Sequence, residues 1–150
     1  MNNVRQRLND NFIRNWIDRL NLSSRALFYK NISSFQLQPY LLSCNISKFR
    51  QSLSRLRVSA HRLMIECGRW AKPNPLLFDQ RICNSCQTLE DEFHFALICS
   101  LYNEIRRKYI PMYFRCRTSM DKFVELITTE DELLLRQLSV YIHNAFLIRT

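Results

Sequence analysis

The chain has 150 residues, which suits one domain able to bury about 68 to 70% of the surface its unfolded form exposes. Hydrophobic residues make up 47% and aromatics 12%, which excludes a disordered tail, and one glycine with four prolines argues against a turn-rich β fold. The net charge of +9 is unevenly placed: residues 1–81 carry 14 Lys+Arg against 4 Asp+Glu, or +10, and residues 82–150 carry 8 against 9, or −1.

A basic half of this kind suits a polyanionic partner such as nucleic acid, or is simply a soluble cationic surface. The sequence holds no run of 18 apolar residues, and Arg5, Arg7, Asp10, Arg14, Asp18 and Arg19 interrupt the first turns. Neither a signal peptide nor a membrane span is therefore expected. The expected setting is intracellular, nucleus or cytoplasm, where thiols stay reduced and available to metal.

In chain order, Val4, Leu8, Phe12, Ile13, Trp16, Ile17 and Leu20 recur at three and four residues and predict an amphipathic helix over about 3–20. Ser23 or Ser24 can cap a second helix ending near Ile32. The uncharged stretch 31–47 reads as a connector with a short helix around Tyr40 to Cys44. Ile46, Phe49, Leu53, Leu56, Ala60 and Leu63 then mark one buried face of a long basic helix over 46–70. At 100° per residue Lys48, Arg55 and Arg62 form one row beside that face, and Arg50 with Arg57 a second. These five residues are the candidate phosphate contacts. The alternative is a solvated flank in which Arg62 pairs with Glu66. Gly68, the one glycine, is where a left-handed helix stop is expected.

Pro73 and Pro75 make the next stretch an extended loop. Beyond it Cys83, Cys86, His94 and Cys99 read C-x2-C-x7-H-x4-C, the residue types and spacing of a closed tetrahedral zinc site. Four protein ligands leave no position for water, so zinc here is expected to hold structure and do no chemistry. The competing reading is that cysteines of this kind are small buried hydrophobes, which is the expectation for Cys44, Cys67 and Cys116. His61 and His143 are expected to be structural or exposed. Thr88 and Asp91 approach a capping box for a short helix through His94, with Glu90, Asp91 and Glu92 at its positive end and Cys99 just past it. Phe93, Phe95 and Leu97 are expected as the small core under the metal. A helix from Ser100 to about Tyr109 includes Arg106, Arg107 and Lys108 as a solvated run. Two more follow, Ser119 to about Ile127 and Thr129 to Arg149, the latter opened by Thr129 and Glu132 and burying Leu134, Leu138, Tyr141, Ala145 and Ile148.

The expected fold is mainly α, a small helical domain with an embedded Cys3His zinc knuckle-like module. Its parts are N-terminal helices over 1–45, the long basic helix over 46–70, the zinc module over 81–109 and C-terminal helices over 119–149. Ser54-Arg-Leu-Arg-Val-Ser-Ala-His-Arg-Leu-Met-Ile-Glu-Cys-Gly-Arg-Trp70, Arg81-Ile-Cys-Asn-Ser-Cys and Glu90-Asp-Glu-Phe-His-Phe95 resemble the zinc-binding segment that follows the reverse transcriptase in non-LTR retrotransposon proteins. The likeness is densest over about 53–109 and thinner over 25–149. It implies a zinc site at Cys83, Cys86, His94 and Cys99 and a role in holding element RNA or target DNA. There is no Asp-Asp pair, Gly-rich phosphate loop, GxSxG or His-Glu-x-x-His in the chain, so polymerase and hydrolase chemistry lack their parts. The expected protein is a non-enzymatic binder of RNA or DNA with low specificity, taking neither a membrane nor a small-molecule substrate as partner. The alternatives are a protein-interaction or scaffold module and a retroelement remnant with no function. A cross-brace ubiquitin ligase is more distant, since the remaining cysteines are too scattered for a second site.

Overall fold

The computed structural model describes residues 2–24 and 27–149. Its described α-helices are α1 (Asn2–Leu22), α2 (Leu27–Ile32), α3 (Pro39–Ser43), α4 (Ser47–Arg57), α5 (Met64–Cys67), α6 (Asn103–Tyr109), α7 (Met112–Arg115), α8 (Met120–Thr128) and α9 (Glu132–Arg149), joined by short 3-10 turns at Gly68–Trp70, Phe78–Gln80 and Ser100–Tyr102 and a π turn at His94–Ile98. Among the described residues the only extended pairing is one antiparallel bridge between Ile82 and Leu89, and no helix is long and apolar enough to cross a membrane. The capping expected of Ser23 or Ser24 falls against residues 25 and 26, outside the described residues.

The core is built around α9, which packs along α4 and also meets α3 and α6. Leu53 and Leu56 of α4 lie fully buried with Leu138, Tyr141, Ile142 and Ala145 of α9, and Phe123, Leu126 and Ile127 of α8 extend the same cluster. Ser119 caps α8, its hydroxyl accepting from the Lys122 N–H. Asp131, and not the expected Thr129, caps α9 by accepting from the Leu134 N–H at 2.6 Å. A carboxylate two residues closer to the helix also suits the positive helix end better than a hydroxyl. Ile148, expected on the buried face of α9, is exposed.

One expected helix forms with much of its apolar stripe exposed, and another is corrected. α1 forms, but much of its apolar stripe is not covered: Val4, Leu8 and Phe12 are 66, 65 and 62% exposed. Its middle and C-terminal part are met: Phe12 and Trp16 approach Phe35 at 5.7 and 5.5 Å between ring centroids, Leu20 is half-buried, and Lys30 donates to the Asn21 carbonyl at 2.9 Å. Periodicity reports a helix's capacity to bury a face, whereas burial depends on what the rest of the chain brings to it.

The long basic helix over 46–70 is two helices with a break at 58–63. α4 ends in a Schellman turn: the Ala60 N–H donates to the Arg55 carbonyl at 2.8 Å and the Ser59 N–H to the Leu56 carbonyl at 3.3 Å. The left-handed position of that turn is Ser59, at φ 54°, where glycine is usual. Gly68 has an ordinary helical φ of −63°. Its lack of a side chain serves a close approach instead, because a Cβ there would lie 2.6 Å from Cγ of Arg81. The Arg81 side chain is itself fixed, donating to the carbonyls of Leu76 and Ile65.

Candidate metal centre

The Cys83–Cys86 half of the site is a turn closed by its own backbone. The Cys83 N–H donates to the Thr88 carbonyl at 2.7 Å, the Gln87 N–H to the Cys83 carbonyl at 2.8 Å, and the Glu90 N–H to the Arg81 carbonyl at 2.9 Å. Gln87, at φ 55°, carries the left-handed step that reverses the chain. The second half begins at Asp91, whose carboxylate accepts from the His94 N–H at 2.7 Å while its carbonyl accepts from the Phe95 N–H. Asp91 is therefore the cap expected at Thr88.

His94–Ile98 then forms a π turn, closed by the Cys99 N–H donating to the His94 carbonyl at 2.8 Å. Residues five apart on an α-helix lie about 140° apart around its axis, and i→i+5 closure brings them back toward one side. The wide turn thus lets both His94 and Cys99 face the Cys83–Cys86 turn.

The four side chains meet as their spacing predicts: one ligand atom from each of Cys83, Cys86, His94 and Cys99 lies within 4.8 Å of all the others, a cluster able to hold a metal ion. Cys83 Sγ and Cys86 Sγ are 3.9 and 3.7 Å from Cys99 Sγ. The two ring nitrogens of His94 differ in a way that suits a ligand. Nδ1 lies 3.2 Å from the Thr88 hydroxyl, whereas Nε2 is buried with no hydrogen-bond partner. A neutral imidazole held at Nδ1 and bare at Nε2 is the form that donates a lone pair to a metal.

The electrostatics point the same way. Burial holds His94 below its ordinary pKa, keeping the ring neutral. Burial pushes the Cys99 thiol up to about 12, while a hydrogen bond from the Ser100 backbone lowers Cys86. A divalent cation supplies the positive charge that lets such thiols ionise together.

The residues around the cluster include several that sequence reasoning placed elsewhere. Arg106, expected in a solvated run, is buried and donates to the carbonyls of Cys99 and Ala96 at 2.8 Å each and to Asn103 Oδ1 at 2.7 Å. The Tyr141 hydroxyl, its pKa pushed up to about 12 by burial, donates to the Ala96 carbonyl at 2.7 Å. Together they occupy carbonyls at the end of the π turn. A sequence signal for Arg106 exists: Tyr102, Arg106 and Ile110 are spaced by four and all are buried.

The acidic run is similarly structural. Glu90 holds Arg149 through two bonds of 2.9 and 2.7 Å and accepts from the Met64 N–H. Glu92 accepts from the Ser59 hydroxyl at 2.6 Å and lies 3.0 Å from His61 Nε2. Burial pulls the Glu92 carboxyl upward, but the bonds from His61 and Ser59 outweigh it and hold it below its ordinary value. Phe95 and Leu97 are buried as expected, Phe95 stacking on Phe146 of α9 at 4.7 Å. Of the three other cysteines, Cys44 is buried and Cys67 and Cys116 are exposed.

The five basic candidates separate. Lys48, Arg55 and Arg62 are exposed and line one cleft, and among the described residues none of them is in an ion pair. Arg50 is half-buried and donates to the Cys44 carbonyl at 3.1 Å. Arg57 is buried, donating to the Ile127 carbonyl and to Gln38 Oε1, and burial lowers its pKa. Arg57 therefore ties α4 to α8 and offers nothing to a surface ligand, because it lies on the Leu53–Leu56 side of a helix shorter than expected. Glu66, the expected partner of Arg62, lies 3.4 Å from Arg69. Comparison with protein-family models, curated proteins and solved structures finds no match to this chain.

Proposed function

We propose that the chain is a zinc-stabilised nucleic-acid-binding module derived from a non-LTR retroelement, acting as a binder without polymerase or nuclease chemistry. The observation that carries the binding role is the set of three exposed cations, Lys48, Arg55 and Arg62, lining one cleft with no acidic partner among the described residues. Zinc is supported by the cluster's dimensions. Zn–S bonds of about 2.3 Å in a tetrahedron place sulfurs about 3.8 Å apart, against 3.7 and 3.9 Å here. Three thiolates and one imidazole are also a soft donor set that selects zinc over magnesium or calcium. The non-enzymatic role is supported by the commitment of Glu90, Asp91 and Glu92 to internal bonds, since two-metal catalysis needs convergent carboxylates free to hold ions.

The test has two arms. Protein purified without chelator is expected to carry one zinc per chain and Cys83→Ser none; equal zinc in both overturns the metal assignment. RNA and duplex DNA are then titrated at two salt concentrations. Dissociation constants of about 10⁻⁴ to 10⁻⁶ M at physiological salt are expected, falling steeply in affinity as salt rises. Replacing Arg55 and Arg62 together by Gln should weaken all sequences alike and flatten the salt slope by about two contacts. Absence of binding at low salt sinks the nucleic-acid reading.

A second reading, a protein-interaction module, is favoured by the uncovered Val4, Leu8 and Phe12 of α1. It takes the lead if nucleic acid does not bind.

A further inference from the structure

The cleft that holds the exposed cations also has a floor of a different character. It lies between α4, the 58–63 loop and α9 and encloses about 580 Å³. Lys48 and Arg55 come from α4, seven residues and so about 10.5 Å apart along the helix, and Arg62 comes from the loop. His143, Phe146, Leu147 and Arg149 line it from α9, Arg149 being already paired with Glu90 at 2.7 Å. No Asp or Glu is among its described lining residues, although α9 begins beside three acidic residues at 130–132. Cations with apolar and aromatic surface between them suit a ligand that is anionic on one side and flat and apolar on the other.

We propose that this cleft is a docking site for a single nucleic-acid strand, taking an unpaired base against Phe146, His143 and Leu147 while Lys48, Arg55 and Arg62 hold the flanking phosphates. The proposal rests on the nucleic-acid reading above and narrows it to one site and one form of the ligand. A duplex keeps its bases stacked inside and offers a surface of this kind only phosphate and sugar. An unpaired base offers a face to an aromatic or apolar floor, and such contacts contribute about 1 to 3 kcal/mol per base irrespective of sequence. The enclosed volume lies within the about 300 to 1,000 Å³ typical of organic-ligand sites, so the cleft admits a nucleotide and cannot enclose a double helix. His143 adds a ring and no charge: its Nδ1 lies 3.0 Å from the Ser52 hydroxyl, and burial together with the neighbouring Lys48 holds its pKa below the ordinary value.

The experiment measures fluorescence anisotropy of the zinc-loaded protein with labelled oligouridylate, oligothymidylate and a duplex of equal length, with uridine monophosphate as competitor. Single strands are expected to bind about tenfold more tightly than duplex, and the mononucleotide to compete only weakly, having one phosphate for three cations. Leu147→Asp places a carboxylate at an exposed lining position and should abolish the single-strand preference. Phe146→Leu also removes the stack on Phe95, so it is compared at equal zinc content and below its own melting temperature, where it should reduce single-strand affinity severalfold and leave duplex affinity unchanged. Arg107→Gln with Lys108→Gln removes two exposed cations outside the cleft and should preserve the preference. Duplex bound as tightly as single strand, or Leu147→Asp binding like wild type, overturns the cleft assignment while leaving salt-dependent binding elsewhere on the surface intact. Mononucleotide binding without strand binding overturns it as well. Absence of all nucleic-acid binding removes this proposal together with the one on which it rests.

Discussion

Arg106, Arg107 and Lys108 show how far residue type alone misleads. The three form one basic run, yet Arg106 is buried among the carbonyls of Ala96 and Cys99 while its two neighbours are exposed. A π turn ending at Cys99 leaves carbonyls without helical partners, and a guanidinium with five donors on a planar fork is suited to collect them. Removing it takes from the Cys99 carbonyl its one described side-chain donor and leaves it the long 3.4 Å bond from the Tyr102 N–H, at a cost of about 1 to 3 kcal/mol. Loosening the chain next to a ligand should also weaken metal binding by about 10- to 100-fold. Arg106→Met is therefore expected to lower both the urea midpoint and the concentration of chelator needed to strip the metal, whereas Arg107→Met and Lys108→Met change neither. Equal behaviour of all three variants would show that the buried contacts are incidental. The same reasoning separates Arg57 from Lys48 and Arg55: helical phase and tertiary depth decide a basic residue's role, and only the phase is written locally in the sequence.

At the scale of elements, α6 and the core side of α9 follow from periodicity, α8 from periodicity and its Ser119 cap, and the Cys-His spacing identifies the cluster able to hold a metal. The break in the basic helix was not legible, because the residue in the left-handed position of its Schellman turn is Ser59 and the glycine that draws attention, Gly68, is helical. What holds Ser59 there is distant in sequence: its hydroxyl donates to Glu92, 33 residues on, so the turn and the helix bearing His94 specify each other. Two effects then compete at this position. A non-glycine residue in the left-handed region costs about 1 kcal/mol relative to glycine, and loss of the bond to a buried carboxylate costs about 1 to 3 kcal/mol. Ser59→Gly loses the bond but relieves the backbone, and Ser59→Ala loses the bond and keeps the strain. Both should destabilise the fold in equilibrium denaturation, with alanine worse than glycine by about 1 kcal/mol. Alanine no worse than glycine would mean that the turn conformation carries no strain.

For the whole molecule, the decisive feature is that the ligand-bearing segment is not an appendage on a helical bundle. Phe95, next to the ligand His94, stacks on Phe146 of α9; Tyr141 of α9 donates to the segment's own backbone; and Glu90 holds Arg149 near the end of the same helix. Cys83, Phe95, Leu97 and Cys99 belong to one continuous buried cluster with Leu53, Leu56 and Leu138. Metal loss should therefore be felt by all of the helices packed on α9. A structural zinc contributes about 10 to 16 kcal/mol in finger peptides at neutral pH, and in a domain of this size each 1 kcal/mol moves the melting temperature by about 2 to 4 °C. If a third of that range reaches the folded core, a zinc-specific chelator should lower the melting temperature by about 7 to 20 °C. Because the cluster is shared, unfolding followed by far-ultraviolet circular dichroism and by aromatic fluorescence should remain one coincident transition with and without metal. Cys116→Ser, outside the cluster and exposed, should melt as wild type does in both conditions. Two separate transitions after chelation, the second at the temperature of the metal-loaded protein, would instead mean that the helices around α4 and α9 stand without the segment packed against them.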